Sequence, residues 1–394
     1  MLERYREAIQ RNAMAHEQEL FATPEVWALG SHAHTVSRRA LLLWLVLTGH
    51  MDWSRELGDV LYAALTDGAQ CAFSVYRYSE EGCPEETPYL RAARAELVRR
   101  GLAPEYVERA REAYLSEGTP WGKLERWTAS GGVVLLVDAS TLALSPEVAE
   151  ACRRVAQRVR PEVGLLAGVT TGYELYDLGL WGEAERAARE VAGCLQELGA
   201  RLVVADSAEA AYALRRICPE LGVELGCEVV HISQWLCGLG DGLPPWRYEG
   251  VVTLHDSSRL GRGLGVYDPP RELIRRTGAQ LRELRYQREQ ALPSGPTFGY
   301  PYPEAVEAIA RRRLVEVLET GAEAVITTSP LRPAQPPPGG PGGQAEGAGP
   351  CGVATTLLGG MSGWTRALAR RSGWAGCLGP PAAEPSWWPT RTGC

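Results

Sequence analysis

Residues 251–275, VVTLHDSSRLGRGLGVYDPPRELIR, decide how the rest of the chain is read. Val251-Val252-Thr253-Leu254 is a short apolar run with β-branched residues, which suits a buried strand of a parallel sheet. A polar turn, His255-Asp256-Ser257-Ser258, ends that strand, and a helix is expected over residues 270–277. Gly261, Gly263 and Gly265 form no dinucleotide fingerprint, because GRGLGVYD does not open into the right strand–helix frame. The His-Asp-Ser-Ser run is not read as a hydrolytic triad, because adjacent residues do not form one and a triad is recognised by geometry.

Working outward, the same grammar recurs on both sides. Upstream, strands are expected at 133–137, 164–167, 201–205 and around Val229-Val230, alternating with helices at 146–159, 181–198 and 208–217. Downstream, a strand at 281–286, a helix at 303–320 and a strand at 324–327 follow. Such alternation predicts an α/β fold with a mostly parallel sheet. The paired endings ELGARLVVADS and ETGAEAVITTS point to an internal duplication. Residues 2–121 have a helical period throughout, with Gly101 as a helix stop and Pro104-Glu105 as a restart. The expected division is 1–128 all-helical, 129–240 and 241–331 as two duplicated α/β repeats, and 332–394 as a low-complexity tail. RPAQPPPGGPGGQAEGAG cannot bury enough surface to offset its ordering entropy. The abrupt break in composition there favours a reading-frame change over a natural disordered tail.

The 394 residues are 45% hydrophobic and 23% charged, ordinary for globular domains, and leave room for two or three cores. A net charge of -7 argues against a nucleic-acid partner. The run at 40–47 is far shorter than the roughly 20 residues of a membrane span. No secretory leader is read at the start, so a cytoplasmic protein is expected, with peripheral docking on a membrane partner left open. Ten cysteines are present, but no two stand in a Cys-x-x-Cys pair, so they are expected to be reduced, isolated thiols.

Segment 251–275 resembles the cysteine-rich repeat found in the B and D subunits of heterodisulfide reductase and in the glycolate oxidase iron–sulfur subunit. In that family the strand ends in His-Asp-Pro-Cys, followed by a Leu-Gly-Arg turn and a Tyr-Asp-x-Pro-Arg helix start. The resemblance implies a helical two-cluster ferredoxin-like domain before two cysteine-rich repeats, and 4Fe-4S clusters held by thiolates. Here Ser258 stands at the first ligand position of the second repeat, Pro293 and Ser294 at its Cys-Cys pair, and Ser329 and Arg332 at its closing Cys-Pro-x-Cys. In the first repeat the matching residues are Ala139, then Thr170 and Thr171, then Ser207 and Ala210. Leu175-Tyr176-Asp177-Leu178-Gly179 is kept almost as the family has it. In the helical part the two cysteine frames fall on Ala13, His16, Glu19 and Thr23, and on Ala64, Asp67, Gln70 and Ser74, with Cys71 one place off.

No cysteine stands at any of these positions, and a serine hydroxyl is a poor substitute for a thiolate on iron. The expectation is therefore a cluster-free member with no cofactor, acting as a non-catalytic scaffold for a redox partner such as a flavoprotein dehydrogenase or a cluster-bearing paralogue. The alternatives are a working electron-transfer subunit with 4Fe-4S clusters, and a decaying gene product. Asp138 and Asp206 follow strands where α/β folds bind ligands; both are expected to cap the next helix, with a divalent ion or phosphate as the alternative. His32 and His34 are read as surface loop residues.

Overall fold

The computed structural model describes residues 1–15, 20–243, 247–296, 298–330 and 355–356. Its first part is built from helices, among them Arg6–Ala13, Val36–Leu47, Arg55–Tyr62, Thr87–Arg99 and Glu105–Glu117. Thr35 and Ser54 cap the second and third of these, each side chain accepting a backbone N–H from the first turn. The helix Thr87–Arg99 stops just before Gly101, whose φ of +66° needs no Cβ, and the next begins after Pro104, as the sequence indicates. Ile9, Leu43, Leu61, Leu90 and Leu97 fill the core between them.

Beyond residue 126 the chain is α/β. Strands β1 (Trp127–Ala129), β2 (Val133–Asp138), β3 (Gly164–Val169), β4 (Leu202–Ala205) and β5 (Glu228–His231) form one sheet in the order β1-β3-β2-β4-β5. Strands β6 (Val251–His255), β7 (Gln280–Leu281), β8 (Ala324–Thr327) and β9 (Thr355–Thr356) form a second, in the order β7-β6-β8-β9. All pairs are parallel except β1 with β3. The parallel strands of both sheets therefore share one order, with each unit's first strand between its second and third. All six residues of β2 are buried, which explains its unbroken apolar run. Helices Pro146–Val159 and Trp181–Glu197 lie against that sheet through Ala149, Cys152 and Val155 on one and Ala188, Val191 and Leu195 on the other.

The structure departs from expectation in several places. The strand expected at 281–286 shrinks to Gln280–Leu281, because only these two residues pair with β6 before the chain turns away. Leu284 instead packs under the helix Pro303–Glu319 with Val317 and Val325, and Tyr286 N donates to Glu316. Residues 208–217 divide into an α-helical turn, Ala208–Tyr212, and a π-helical one, Ala213–Ile217. Thr355–Thr356, inside the segment read as a structureless tail, pairs with β8 at the place β5 holds in the first sheet. The rest of the tail, with Arg332, lies outside the described residues, as do His16 and Glu19.

Cys71 and Cys83 form a disulfide, their Cα atoms 5.5 Å apart, and are not the isolated thiols expected. His34 is also not a surface residue: it is 5% exposed, and burial and the nearby Arg39 push its imidazole down to about 4. Among the described residues no helix is long and apolar enough to cross a membrane.

Candidate functional site

The carboxyl ends of β2, β3 and β4 carry the turns of the first unit, and those of β6 and β8 carry the turns of the second. These two sets meet. Ala208 N donates to Thr328 O at 2.9 Å, and the Ser329 hydroxyl lies 2.9 Å from both Glu209 Oε1 and Ser257 Oγ. A cavity of about 1280 Å³ opens at this junction and is lined on its other side by residues of the helical part. Ser258, Pro293, Ser294 and Ser329 all line it, so the described second-repeat positions are brought together.

The first-repeat positions lie deeper and are occupied by packing and local hydrogen bonds. Ala139 and Ala210 are fully buried carbon. Thr170 Oγ1 accepts from Gly172 N at 3.2 Å, and Ser207 Oγ caps the following helix by accepting from Ala210 N. Thr171 N donates to Asp138 Oδ1 at 2.8 Å, while its own hydroxyl is buried without a partner. Asp138 caps the helix Ala139–Leu144 through Ser140 N, as expected. Asp206 does not cap: Ser207 takes that role, and Asp206 Oδ1 accepts from Asp138 N at 3.3 Å instead.

Buried acids dominate the first-unit side. Glu174, 1% exposed, and Glu209, 9% exposed, both line the cavity. Burial raises both carboxyls above the ordinary range, with Asp138 nearby adding to the rise. Burial likewise pushes Asp206 up to about 7. Neither glutamate stands out in the sequence; the available signal was an acidic residue in the first turn of the helix after each of two ligand-position turns.

The motifs shared with the resembling family hold the parts to one another. Asp177 of the Leu-Tyr-Asp-Leu-Gly stretch pairs with Arg91 at 2.9 Å and Arg94 at 3.2 Å, both on the helix Thr87–Arg99, and accepts from Thr66. These guanidinium groups hold its carboxyl down at about 2, against the opposing effect of burial. Tyr62 OH donates to Leu178 O at 2.7 Å. A Cβ at Gly179 would sit 2.5 Å from Ala95 N, so only glycine allows this close approach. From the second unit, Arg259 donates to Thr66 O at 2.6 Å and to the Tyr173 hydroxyl, and Arg262 donates to Asp67 O at 2.9 Å. His255 Nδ1 accepts from Arg313 Nε at 3.1 Å; burial, then the Arg313 charge, lowers its imidazole to about 3. His255 is thus a neutral structural acceptor.

The side chains around this cavity offer hydroxyls, carboxylates, guanidinium groups and the His255 imidazole, and among the described residues no cysteine lines it. Cys152 and Cys218 are buried in the cores on either face of the first sheet, and Cys71 and Cys83 are bonded to one another. A four-iron cluster takes thiolates, so the described residues that line this cavity do not fit one.

No family model matches the chain. Three relatives do, each over part of its length. The D subunit of dihydromethanophenazine:CoB–CoM heterodisulfide reductase from Methanosarcina barkeri is 30% identical over 156 residues, 38% of this chain and 38% of that protein. Its counterpart in Methanosarcina acetivorans is 32% identical over 120 residues, 28% of this chain and 29% of that protein. FadF of Bacillus subtilis, a candidate iron-sulfur-binding oxidoreductase, is 37% identical over 90 residues, 22% of this chain and 12% of that protein. The chain is thus a distant partial homologue of these proteins, matching well under two thirds of their lengths. A solved structure of a candidate Asp/Glu racemase from Yersinia pestis covers 50% of this chain and 85% of that one, at 13% identity and a TM-score of 0.25, too low to carry an argument.

Proposed function

We propose that this protein is a partner subunit of a redox complex, one that keeps the frame of an iron–sulfur subunit and works as a scaffold without clusters of its own. The observation that carries this reading is the Ser257–Ser329–Glu209 contact, where three turns that hold ligand positions in the resembling family close on one another through oxygen. Oxygen donors of this kind suit hard cations and not sulfide-bridged iron. Asp177, Tyr62, Arg259 and Arg262 tie the helical part to the two α/β units, which supports a role that needs shape more than electron transfer. The relatives are named as a heterodisulfide reductase component and an iron-sulfur-binding oxidoreductase, so the partner is expected to be a redox protein, a flavoprotein dehydrogenase or a cluster-bearing paralogue.

Native purification from the source cell, followed by iron and acid-labile sulfide analysis, tests this. The expected result is co-purification with a flavin- or cluster-bearing protein while the separated chain carries no stoichiometric iron. Iron and sulfide in equal stoichiometric amounts on the separated chain, with a thiolate-to-iron absorption band, would overturn it in favour of an electron-transfer subunit.

A further inference from the structure

The Cys71–Cys83 bridge closes a strap beside the cavity. Cys71 lies in the helix Ala69–Phe73, and Cys83 in the stretch that leads into the helix Thr87–Arg99. The two ends of the strap are anchored to different parts of the protein. Beside Cys83, Asn12 Nδ2 donates to Pro84 O at 2.7 Å and Arg11 Nη2 to Gly82 O at 3.0 Å, both from the helix Arg6–Ala13. Beside Cys71 the contacts run to the second α/β unit. Ala69 is buried with Leu292, Phe73 meets Tyr286 edge-on with ring centroids 5.9 Å apart, and Arg77 pairs with Glu289. Asp67, Arg262 and Leu292, at this margin, line the cavity. The bridge is therefore a cross-link between the core of the helical part and the piece of it that rests on the second unit.

The rest of the helical part stands without this cross-link. Arg39 is buried between Glu25 and Glu86, and Asp177 is matched by Arg91 and Arg94 across the contact with the first unit. The ion pair that holds the strap is of another kind. Arg77 and Glu289 have side chains 32% and 55% exposed, and a pair so exposed contributes little. The bridge is also within reach of solvent. Both cysteines are half-buried, and Tyr78, Ser79, Glu80 and Glu81 between them are exposed. Arg11 brings positive charge to the residue before Cys83, opposed in part by exposed Glu81 at 3.4 Å, and so favours Cys83 as the sulfur that leaves as thiolate.

We propose that Cys71–Cys83 is an exchange site for a dithiol, and that its reduction unlatches residues 68–82 from the second unit and opens that side of the cavity. One thiolate of the dithiol attacks the Cys71 sulfur, a mixed disulfide forms there, and Cys83 leaves as a thiolate that takes a proton from water. The second thiolate of the dithiol then attacks its own sulfur in the mixed disulfide and releases Cys71, which is protonated in turn. The dithiol gives up two electrons and two protons and becomes a disulfide, and the protein gains two thiols. Each step is reversible, so the latch follows the ratio of dithiol to disulfide around it. Without the bridge, the helix Ala69–Phe73 keeps only side-chain contacts on its second-unit side, and local opening there costs less than opening of the helical core. The inference concerns the chain's own bridge and holds whether or not the protein joins a redox complex.

The test uses the full chain, purified in air and held without denaturant in mixtures of reduced and oxidised dithiothreitol of graded ratio. Thiols at Cys71 and Cys83 are counted by alkylation and peptide mass, and amide hydrogen exchange is followed on the same samples. The expected result is that both cysteines are reduced together, while exchange over residues 68–82 and 286–292 speeds up by roughly tenfold or more. Exchange over residues 174–179 should not change, and reoxidation should restore the slow pattern. Cys71→Ser should show the fast pattern at every ratio. A bridge that dithiothreitol opens only after the chain is unfolded would overturn the proposal, because the bond would then be purely structural. Reduction that leaves exchange over residues 68–82 unchanged would overturn the latch, and free thiols at both sites in the air-purified chain would overturn the bridge itself. None of these results needs a variant.

Discussion

The carboxylate of Asp256 is gripped by both terminal nitrogens of Arg271, Nη1 to Oδ1 at 2.8 Å and Nη2 to Oδ2 at 2.7 Å. The two residues stand at opposite ends of the segment that decides the fold, one closing β6 and the other in the helix Asp268–Arg276. Arg271 also reaches Glu283 through Nε at 2.7 Å, and Asp256 accepts Arg288 N at 2.7 Å. The pair is buried, at 5% and 4% side-chain exposure. Its function is thus to fix the turn between strand and helix, and it gives the His-Asp and Pro-Pro-Arg motifs a structural reason to occur together.

Removing one partner leaves the other charge buried. Arg271→Met is expected to lower unfolding free energy by about 3–5 kcal/mol. Asp256→Asn, which keeps shape and one acceptor, should cost less. Urea denaturation of both variants and of the double variant measures the coupling; additive losses would show that the two side chains do not act as a pair.

Gly179 should be as intolerant for a different reason. Its φ is +86° and an added Cβ would meet the backbone of Arg94 and Ala95 at 2.5 Å. Gly179→Ala is expected to destabilise by about 3 kcal/mol or more. Because the clash falls between the helical part and the first α/β unit, limited proteolysis should show new cleavage between residues 119 and 133. An unchanged digestion pattern and melting temperature would count against this contact.

The strands were legible wherever apolar runs are continuous: 133–137 and 324–327 fall on β2 and β8 within a residue, and the parallel α/β class follows from their alternation with helices. Helices 146–159 and 303–320 were legible from proline starts and apolar spacing. Residues 281–286 misled because Leu281 and Leu284 serve different layers, one in the sheet and one beneath a helix. The candidate site was legible only as a set of positions that the resemblance singles out. That Ser257, and not Ser258, meets Ser329 depends on how two units pack, which no local pattern encodes. Glu174 and Glu209 resemble any acidic first-turn residue until the cavity wall is seen.

The Cys71–Cys83 bridge was invisible for the same reason, since a spacing of 12 matches no local motif. It joins the helix Ala69–Phe73 to the stretch leading into Thr87–Arg99, close to where Asn12 Nδ2 donates to Pro84 O at 2.7 Å. A closed loop of this length is worth about 3 kcal/mol. Cys71→Ser should therefore lose roughly that much in oxidising buffer and nothing in the presence of a strong reductant, measured by urea midpoints. Peptide mapping without reduction should recover the two cysteines on one linked fragment. Free thiols at both sites in the native protein would show that the bridge does not form.

Asp206 gives a pH-dependent prediction with a definite sign. Burial holds its folded carboxyl up at about 7, while in the unfolded chain it returns to the ordinary carboxylate range. Between about pH 4 and 7 the folded chain keeps a proton that the unfolded chain releases, so stability from this group is full below that window and is lost as pH rises through it. Glu25, pushed up to about 7 by burial, acts in the same direction. His231 and His255, both lowered to about 3 by burial, act oppositely and cost stability as pH falls below their unfolded value. The wild-type curve is a sum of these effects, so the difference between wild type and Asp206→Asn isolates one of them. The variant cannot release a proton, and its stability relative to wild type should rise from pH 5 to 8 by on the order of 3 kcal/mol. Urea denaturation across that range measures it. A difference that stays flat with pH would mean that Asp206 is ionised in the folded protein, held by the Asp138 backbone N–H and its neighbouring hydroxyls despite its burial.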